Sequence, residues 1–298
     1  MTQLSRRGLI LAAGATGVGT LLRPGTSTAG PSTAAADGRV VKHARLKQSV
    51  SRWCYNSTPL PELCRAAKEM GLLGIDLLGE DDWQVVADHG LVCTMGSGGG
   101  GTIPEGLNDP ANHDGIVRGL EALIPRAAKA GVPNVITFVG NRKPGIDDAA
   151  ARDNCVQGLA RVAPIAESEG VTVCVELLNS RVDHEKYQSD RTSFVVDVVR
   201  AVDSPRVKAL YDVYHMQIME GDVIRTIQTH HHLFGHYHVA GNPGRHEPDA
   251  GQELNYPAIY AAIRATGYAG HVGMEFVPSG EPIAALRNAH AQLVGDHP

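Results

Sequence analysis

The sequence predicts an α/β protein with one (β/α)8 domain, the TIM-barrel architecture, after an N-terminal segment outside the fold. The first reason is that eight strand-like runs alternate with helical segments along the chain. The second is length, because about 260 of the 298 residues remain after the N-terminal segment, which is typical of one such barrel. The third is that four residues able to bind a metal stand at the downstream ends of separate strands, where such barrels carry their sites.

The N-terminal segment has the features of a twin-arginine export signal. Arg6 and Arg7 precede a moderately apolar stretch rich in glycine and alanine, and three alanines at residues 34–36 are typical of a cleavage site. The apolar stretch is too short and too rich in glycine for a stable membrane span. We therefore expect residues 1–36 to be a signal and cleavage region, residues 37–298 to form the barrel, and the mature protein to be periplasmic or extracellular. A disordered N-terminus with two chance arginines is the alternative.

Strand and helix runs alternate through the N-terminal half of the barrel. The predicted strands are residues 48–54, 73–78, 91–95 and 134–139, and the helices that follow them are residues 59–70, 82–89, 112–130 and 147–169. A glycine-rich run at residues 96–102 follows the third strand, and we expect it to be a mobile cover over the site. It lacks the Lys-Ser/Thr ending of a phosphate-binding loop.

The same alternation continues through the C-terminal half. The predicted strands are residues 171–176, 207–212, 233–238 and 271–275. Residues 192–202 carry apolar side chains at helical spacing, residues 216–229 can form a turn or two of helix, and residues 256–266 begin near a proline and stop before a glycine. A last helix is predicted at residues 282–293. Strand followed by helix, repeated, indicates parallel strands.

Side-chain alternation turns the four strand-end residues toward the barrel interior. Glu176 lies on the face opposite three valines of its strand, so it points inward. The same parity turns Asp212, His238 and Glu275 inward. If their strands are parallel neighbours, these four side chains converge on one point at the carboxyl ends of the strands.

Three carboxylates and one imidazole form a mostly oxygen donor set, which favours one Mn²⁺, Mg²⁺ or Co²⁺ ion over a thiolate-type zinc site. Taken singly, each carboxylate has an ordinary alternative: an ion pair with an arginine or, for Asp212, a helix N-cap. With a metal present, Glu176 and Glu275 on either side of a substrate plane can serve as base and acid in a proton transfer through an enediolate.

The strand ends also resemble a known family. The segments that carry the resemblance are residues 176–179, 212–217, 236–248, 255–257 and 273–276. They look like hydroxypyruvate isomerase and, more broadly, are similar to the xylose-isomerase-like TIM barrels, which include ketose 3-epimerases. The resemblance covers about residues 49–282, and the run Ala-Gly-x-Pro-x-Arg-His-Glu-Pro is its most specific part.

This resemblance implies roles for individual residues. Glu176 and Glu275 would bind the metal and also move the proton, with Asp212 as a third ligand. The fourth metal ligand in hydroxypyruvate isomerases is typically a glutamine. The matching position here is His238, and a histidine is also what the epimerases have there. His215 resembles a ligand of a substrate oxygen, and Arg245 is expected to clamp a substrate carboxylate or hydroxyl with its planar fork.

Composition narrows the function classes. A net charge of −5 argues against a nucleic-acid surface. The five cysteines show no C-x-x-C spacing, and we expect most of them to be buried small apolar residues.

The leading prediction is a metal-dependent isomerase of a small hydroxycarbonyl compound, close to hydroxypyruvate isomerase, with a ketose 3-epimerase or another sugar isomerase as the neighbouring alternative. A metal-dependent phosphodiesterase or nuclease, and a non-catalytic binding protein, are alternatives from other classes. The substrate, the metal and the oligomeric state, including a homo-oligomer, stay open.

Overall fold

Within residues 45–294, which the structure describes, eight parallel strands close into a barrel in chain order, each paired with the next and the last with the first. This structure is a computed structural model. The strands are β1 (Lys47–Ser51), β2 (Gly74–Leu78), β3 (Val92–Gly100), β4 (Asn134–Thr137), β5 (Thr172–Glu176), β6 (Val207–Asp212), β7 (Phe234–Val239) and β8 (His271–Met274). The predicted (β/α)8 barrel is confirmed, whereas the predicted signal region at residues 1–36 lies outside the described residues.

Eight α-helices connect these strands within the described range, and a ninth follows the last strand. They are α1 (Leu60–Met70), α2 (Trp83–Asp88), α3 (His113–Ala130), α4 (Asp148–Glu169), α5 (Thr192–Val202), α6 (Val213–Met219), α7 (Val223–His230), α8 (Tyr256–Ala265) and α9 (Pro282–Val294). Between β6 and β7 the sequence predicts a turn or two of helix, and the structure has two helices there. They are separate because Gly221 and Asp222 adopt left-handed backbone conformations, with φ of 66° and 46°, which a continuous helix does not accept. No helix of the described chain is both long and apolar enough to cross a membrane.

Apolar side chains pack in two places. The larger cluster lies between the strands and the helices, and a smaller one inside the barrel contains Met95, Ile136, Cys174 and Leu210. Cys174 and Leu210 each stand two residues before a predicted metal ligand, so this inner cluster forms the floor beneath the strand ends. Cys54 is partly exposed, the other four cysteines are buried, and all five are free thiols. The expectation for the cysteines is therefore confirmed.

The prediction that the glycine-rich run begins after the third strand is wrong for residues 96–100, but the run does line the cavity of the candidate active site, and its mobility stays a prediction. These residues continue β3, and Gly96 and Gly100 pair with Val135 and Thr137 of β4. The physical reason is close packing against α3. A Cβ atom on Gly99 would lie 2.7 Å from the carbonyl oxygen of Gly119, so only a residue without a side chain lets strand and helix approach this far.

Candidate active site

The four predicted metal ligands converge at the carboxyl end of the barrel. Glu176 and Asp212 end β5 and β6, His238 lies near the end of β7, and Glu275 follows β8. One donor atom from each residue lies within 4.8 Å of the donor atoms of the other three, and all four side chains are buried. Strand register explains the convergence, because Asp212 pairs with His238 across β6 and β7. We call these four residues the metal-capable cluster.

His238 joins this cluster to a second buried group. Its Nδ1 atom lies 3.4 Å from Oε1 of Glu176 and 3.2 Å from Oε2 of Glu275. Its Nε2 atom points the other way and lies 3.3 Å from Oδ2 of Asp76, in β2. The same Asp76 oxygen lies 2.8 Å from Nε2 of His236. Burial would raise the pKa of the Asp76 carboxyl, but His236 and His238 hold it well below its usual range.

Asp76 and His236 were not among the predicted site residues. A signal for Asp76 was present, because it is the one charged residue in the strand run Gly-Ile-Asp-Leu-Leu. Its partners lie about 160 positions away in the sequence, so no local pattern could assign them.

Asp212 has two contacts that use different oxygens. Its Oδ1 atom accepts a hydrogen bond of 2.9 Å from the backbone N–H of His215 and so caps the N-terminus of α6. Its Oδ2 atom lies 3.8 Å from Nε2 of His215. The N-cap alternative is therefore correct for one oxygen, and the other oxygen remains available to a ligand.

His215 is held as a neutral hydrogen-bond donor. Burial lowers its pKa well below the usual range, and the nearby charge of Arg245 lowers it further. The backbone N–H of Asn179 donates to its Nδ1 atom at 3.2 Å, so the ring proton must lie on Nε2. That Nε2 atom is buried and has no hydrogen-bond partner among the described residues. A substrate oxygen would satisfy it.

Both oxygens of Glu275 accept hydrogen bonds. Nε1 of Trp53 donates to Oε1 at 2.6 Å, and Nη2 of Arg245 donates to Oε2 at 2.8 Å. The guanidinium of Arg245 lies over the rings of Trp53 and Tyr214, at 5.1 and 5.4 Å from their centroids. Arg245, the predicted substrate clamp, therefore also holds Glu275 in place. The buried Nε atom of Arg245 has no hydrogen-bond partner among the described residues.

The two glutamates differ in proton affinity. Burial would raise the pKa of Glu275, but His238 and Arg245 hold it well below its usual range. No guanidinium or indole among the described residues donates a hydrogen bond to Glu176, and burial raises its pKa above the usual range. A pair of carboxyl groups whose pKa values are driven apart in this way is typical of a base and an acid in one active site.

The residues present fit a divalent cation. Three carboxylates share the buried space with the guanidinium of Arg245, which leaves an excess of negative charge. Burial and the charge of Glu275 raise the pKa of Asp212 to about 7, the response expected when like charges crowd together. Despite burial, Glu275 and the other neighbouring carboxylates raise the pKa of His238 well above its usual range, so a proton competes with an ion for this imidazole. A hard divalent cation would relieve the repulsion and replace that proton.

A cavity of about 520 Å³ opens beside the two glutamates. Its polar side carries Glu176, Glu275, Arg245 and His184, and much of the remaining wall is apolar, including Phe138. His184 was not among the predicted site residues, because the loop after β5 has no regular spacing that could place it. The cavity gives both glutamates access to a small molecule.

A model of the xylose isomerase-like TIM barrel family matches residues 64–293 of this chain. The chain therefore belongs to that family. It is similar to a 2-oxo-tetronate isomerase of Cupriavidus necator, with 37% identity over 115 residues that cover 39% of this chain and 44% of that protein. It is also similar to a Danio rerio protein provisionally named hydroxypyruvate isomerase, with 33% identity over 112 residues that cover 38% and 41% of the two chains. The matches thus span less than half the length of these relatives.

Solved structures show the same barrel over most of the chain. An AP endonuclease, family 2, from Brucella melitensis superposes with a TM-score of 0.71 at 25% identity, covering 81% of this chain and 97% of that one. The 3-keto-D-glucoside 4-epimerase of E. coli superposes with a TM-score of 0.71 at 23% identity, covering 84% and 99%. At 23% identity, the likeness to the epimerase shows the fold alone.

Proposed function

We propose that this protein is a divalent-metal-dependent isomerase of a small hydroxycarbonyl compound, similar in reaction to hydroxypyruvate isomerase. The observation that carries the proposal is the buried metal-capable cluster, in which two glutamates of different proton affinity border one cavity. The names of the similar proteins from Cupriavidus necator and Danio rerio support the isomerase class. Glu176, Asp212, His238 and Glu275 would hold one Mn²⁺, Mg²⁺ or Co²⁺ ion.

When bound, the ion would supply Lewis acidity to the substrate oxygens, which lowers the cost of removing a proton from the adjacent carbon. Glu275, which Arg245 and Trp53 favour in its ionised form, would take that proton. Glu176, whose pKa burial raises, would deliver a proton to the neighbouring carbon while the hydroxyl proton passes to the former carbonyl oxygen, so that the carbonyl and hydroxyl groups exchange places. Proton exchange with solvent would then return Glu275 to its ionised form and Glu176 to its protonated form.

Two further residues would orient the substrate. The Nε2–H group of His215 has no partner and would donate to a substrate oxygen. Arg245 would contact a carboxylate or hydroxyl of the substrate through the part of its fork that Glu275 does not use. Return of the proton to the opposite face of the same carbon would instead give the epimerase reaction, so the same residues support a ketose 3-epimerase as the neighbouring alternative.

Export belongs to the same proposal. Residues 1–36 would direct the chain through the twin-arginine route, and residues 37–298 would be the mature periplasmic or extracellular enzyme. The support is Arg6-Arg7, the weakly apolar stretch after it and the alanines at residues 34–36. A route that carries folded proteins would let the buried site bind its metal before export.

The proposal is tested with a substrate panel of hydroxypyruvate, tartronate semialdehyde and free ketoses. Protein stripped of metal and then loaded with Mn²⁺ is incubated with each compound, and NMR follows the loss of one isomer and the gain of the other. We expect interconversion of one pair, abolished by chelation and restored by Mn²⁺. Inversion at one carbon of a ketose would favour the epimerase, and no conversion of any compound would favour a binding protein.

A further inference from the structure

Asp76 lies inside the barrel beneath the metal-capable cluster and takes no part in the proposed reaction. It is fully buried, and its Oδ2 atom is approached by Nε2 of His236 at 2.8 Å and by Nε2 of His238 at 3.3 Å. The two histidines stand two positions apart on β7, with rings perpendicular and centroids 5.1 Å apart. Oδ1 of Asp76 has no hydrogen-bond partner among the described residues, so both histidine contacts converge on one oxygen.

The space for this carboxylate comes from β8. A Cβ atom on Gly273 would lie 2.0 Å from Oδ2 of Asp76 and 2.9 Å from Cδ2 of His238. Gly273 is also the residue that pairs with His238 in the strand register. Any side chain at position 273 would therefore push Asp76 and His238 apart. The contact thus depends on residues of three strands, β2, β7 and β8.

The contact determines which nitrogen of His238 can bind an ion. An imidazole ligand must present an unprotonated nitrogen, and its other nitrogen then carries the proton. In His238 the Nδ1 atom faces Glu176 and Glu275, whereas Nε2 faces a carboxylate that accepts a proton donor. Asp76, His236 and His238 also form a group able to hold an ion, but Oδ2 of Asp76 lies within hydrogen-bond distance of both Nε2 atoms, so the two rings satisfy this oxygen without one.

We infer that Asp76 is a positioning residue of the metal centre: it accepts the Nε2–H group of His238 and so presents the bare Nδ1 atom to the metal. His236 holds the Asp76 carboxylate in place from the same strand, and Gly273 leaves the room for it. This inference rests on the proposed function, because it presupposes a metal at the cluster. Loss of such an outer partner typically weakens metal binding about 10- to 100-fold.

The test compares Asp76→Asn with Asp190→Asn in the protein stripped of metal. Asp190 is a matched control, since it is also a buried carboxylate but pairs with Ser180 and Arg142, away from His238. Mn²⁺ affinity is measured by calorimetry, and the visible spectrum of the Co²⁺ form reports the coordination geometry. We expect Asp76→Asn to bind Mn²⁺ about 10- to 100-fold more weakly with a changed Co²⁺ spectrum, and Asp190→Asn to match the unchanged protein.

Wild-type affinity and spectrum in a folded Asp76→Asn protein would overturn the inference alone, whereas absence of metal binding by the unchanged protein would overturn the proposed function as well.

A second measurement needs no variant. Proton–nitrogen NMR of the histidine rings in the Zn²⁺-loaded protein should show the His238 proton on Nε2 and the metal on Nδ1. The reverse assignment would overturn the inference even if the Asp76→Asn variant does not fold.

Discussion

The indole N–H of Trp53 donates a hydrogen bond of 2.6 Å to Oε1 of Glu275, across 222 positions of the sequence. The two residues meet because β1 and β8 are neighbours where the barrel closes, and each stands just beyond its strand. The indole therefore fixes one oxygen of Glu275 while Arg245 fixes the other. Both groups favour the ionised form of the glutamate that we propose as the base.

Trp53→Phe removes this donor and keeps an aromatic ring in the cavity wall. A hydrogen bond to a charged group contributes about 1.5–3 kcal/mol, so we expect kcat/KM to fall roughly 10- to 150-fold. The matched control is Trp83→Phe, which removes an indole donor to the backbone oxygen of Leu78, outside the active site. Equal activity of the two variants would show that the hydrogen bond from the Trp53 indole does not contribute to the function of Glu275.

Glu176→Gln and Glu275→Gln keep the shape of each side chain and remove its ability to carry a proton. If the two glutamates act as acid and base, each variant should lose about 10²-fold or more in turnover. Glu80→Gln is the control, since it changes a surface glutamate paired with Arg126. Near-normal turnover in both site variants would contradict the roles, and a loss confined to metal affinity would identify the glutamates as ligands only.

Two substitutions at Asp212 distinguish its role as a helix cap from its proposed role as a metal ligand. Asparagine is as good an N-cap as aspartate, so Asp212→Asn should keep the stability of α6, whereas Asp212→Ala should lower the free energy of unfolding by about 0.5–2 kcal/mol. Both variants lack the carboxylate, and both should lose stoichiometric Mn²⁺ while the barrel stays folded. Metal analysis and urea unfolding of the two proteins check this. A full equivalent of metal in either variant would remove Asp212 from the ligand set.

The export prediction concerns Arg6 and Arg7. Replacing both with lysine should leave full-length protein in the cytoplasm, because the twin-arginine route depends on the arginine pair. N-terminal sequencing of the unchanged mature protein should begin near Asp37. Normal export of the double variant, or a mature N-terminus at Met1, would show that the segment is not such a signal.

The sequence was sufficient for those features that depend on local periodicity. The bounds of α5 and β6 agree with the prediction, and parity along single strands placed Glu176 and Asp212 in the barrel interior. Features that depend on distant contacts could not be predicted. Asp76 lies against histidines of β7 about 160 positions away, and Gly99 lies against Gly119 of α3. Neither contact can be predicted from the spacing of neighbouring residues.

Hydrogen exchange with heavy water tests proton transfer by the two glutamates most directly. Mn²⁺-loaded protein is incubated in heavy water with the compound that it converts, and mass spectrometry follows deuterium at the reacting carbon over many turnovers. We expect deuterium to enter the substrate faster than in a protein-free sample, and the Glu275→Gln protein to match that blank. Conversion in which every carbon-bound hydrogen is retained, or equal exchange with and without the protein, would contradict proton transfer by Glu176 and Glu275.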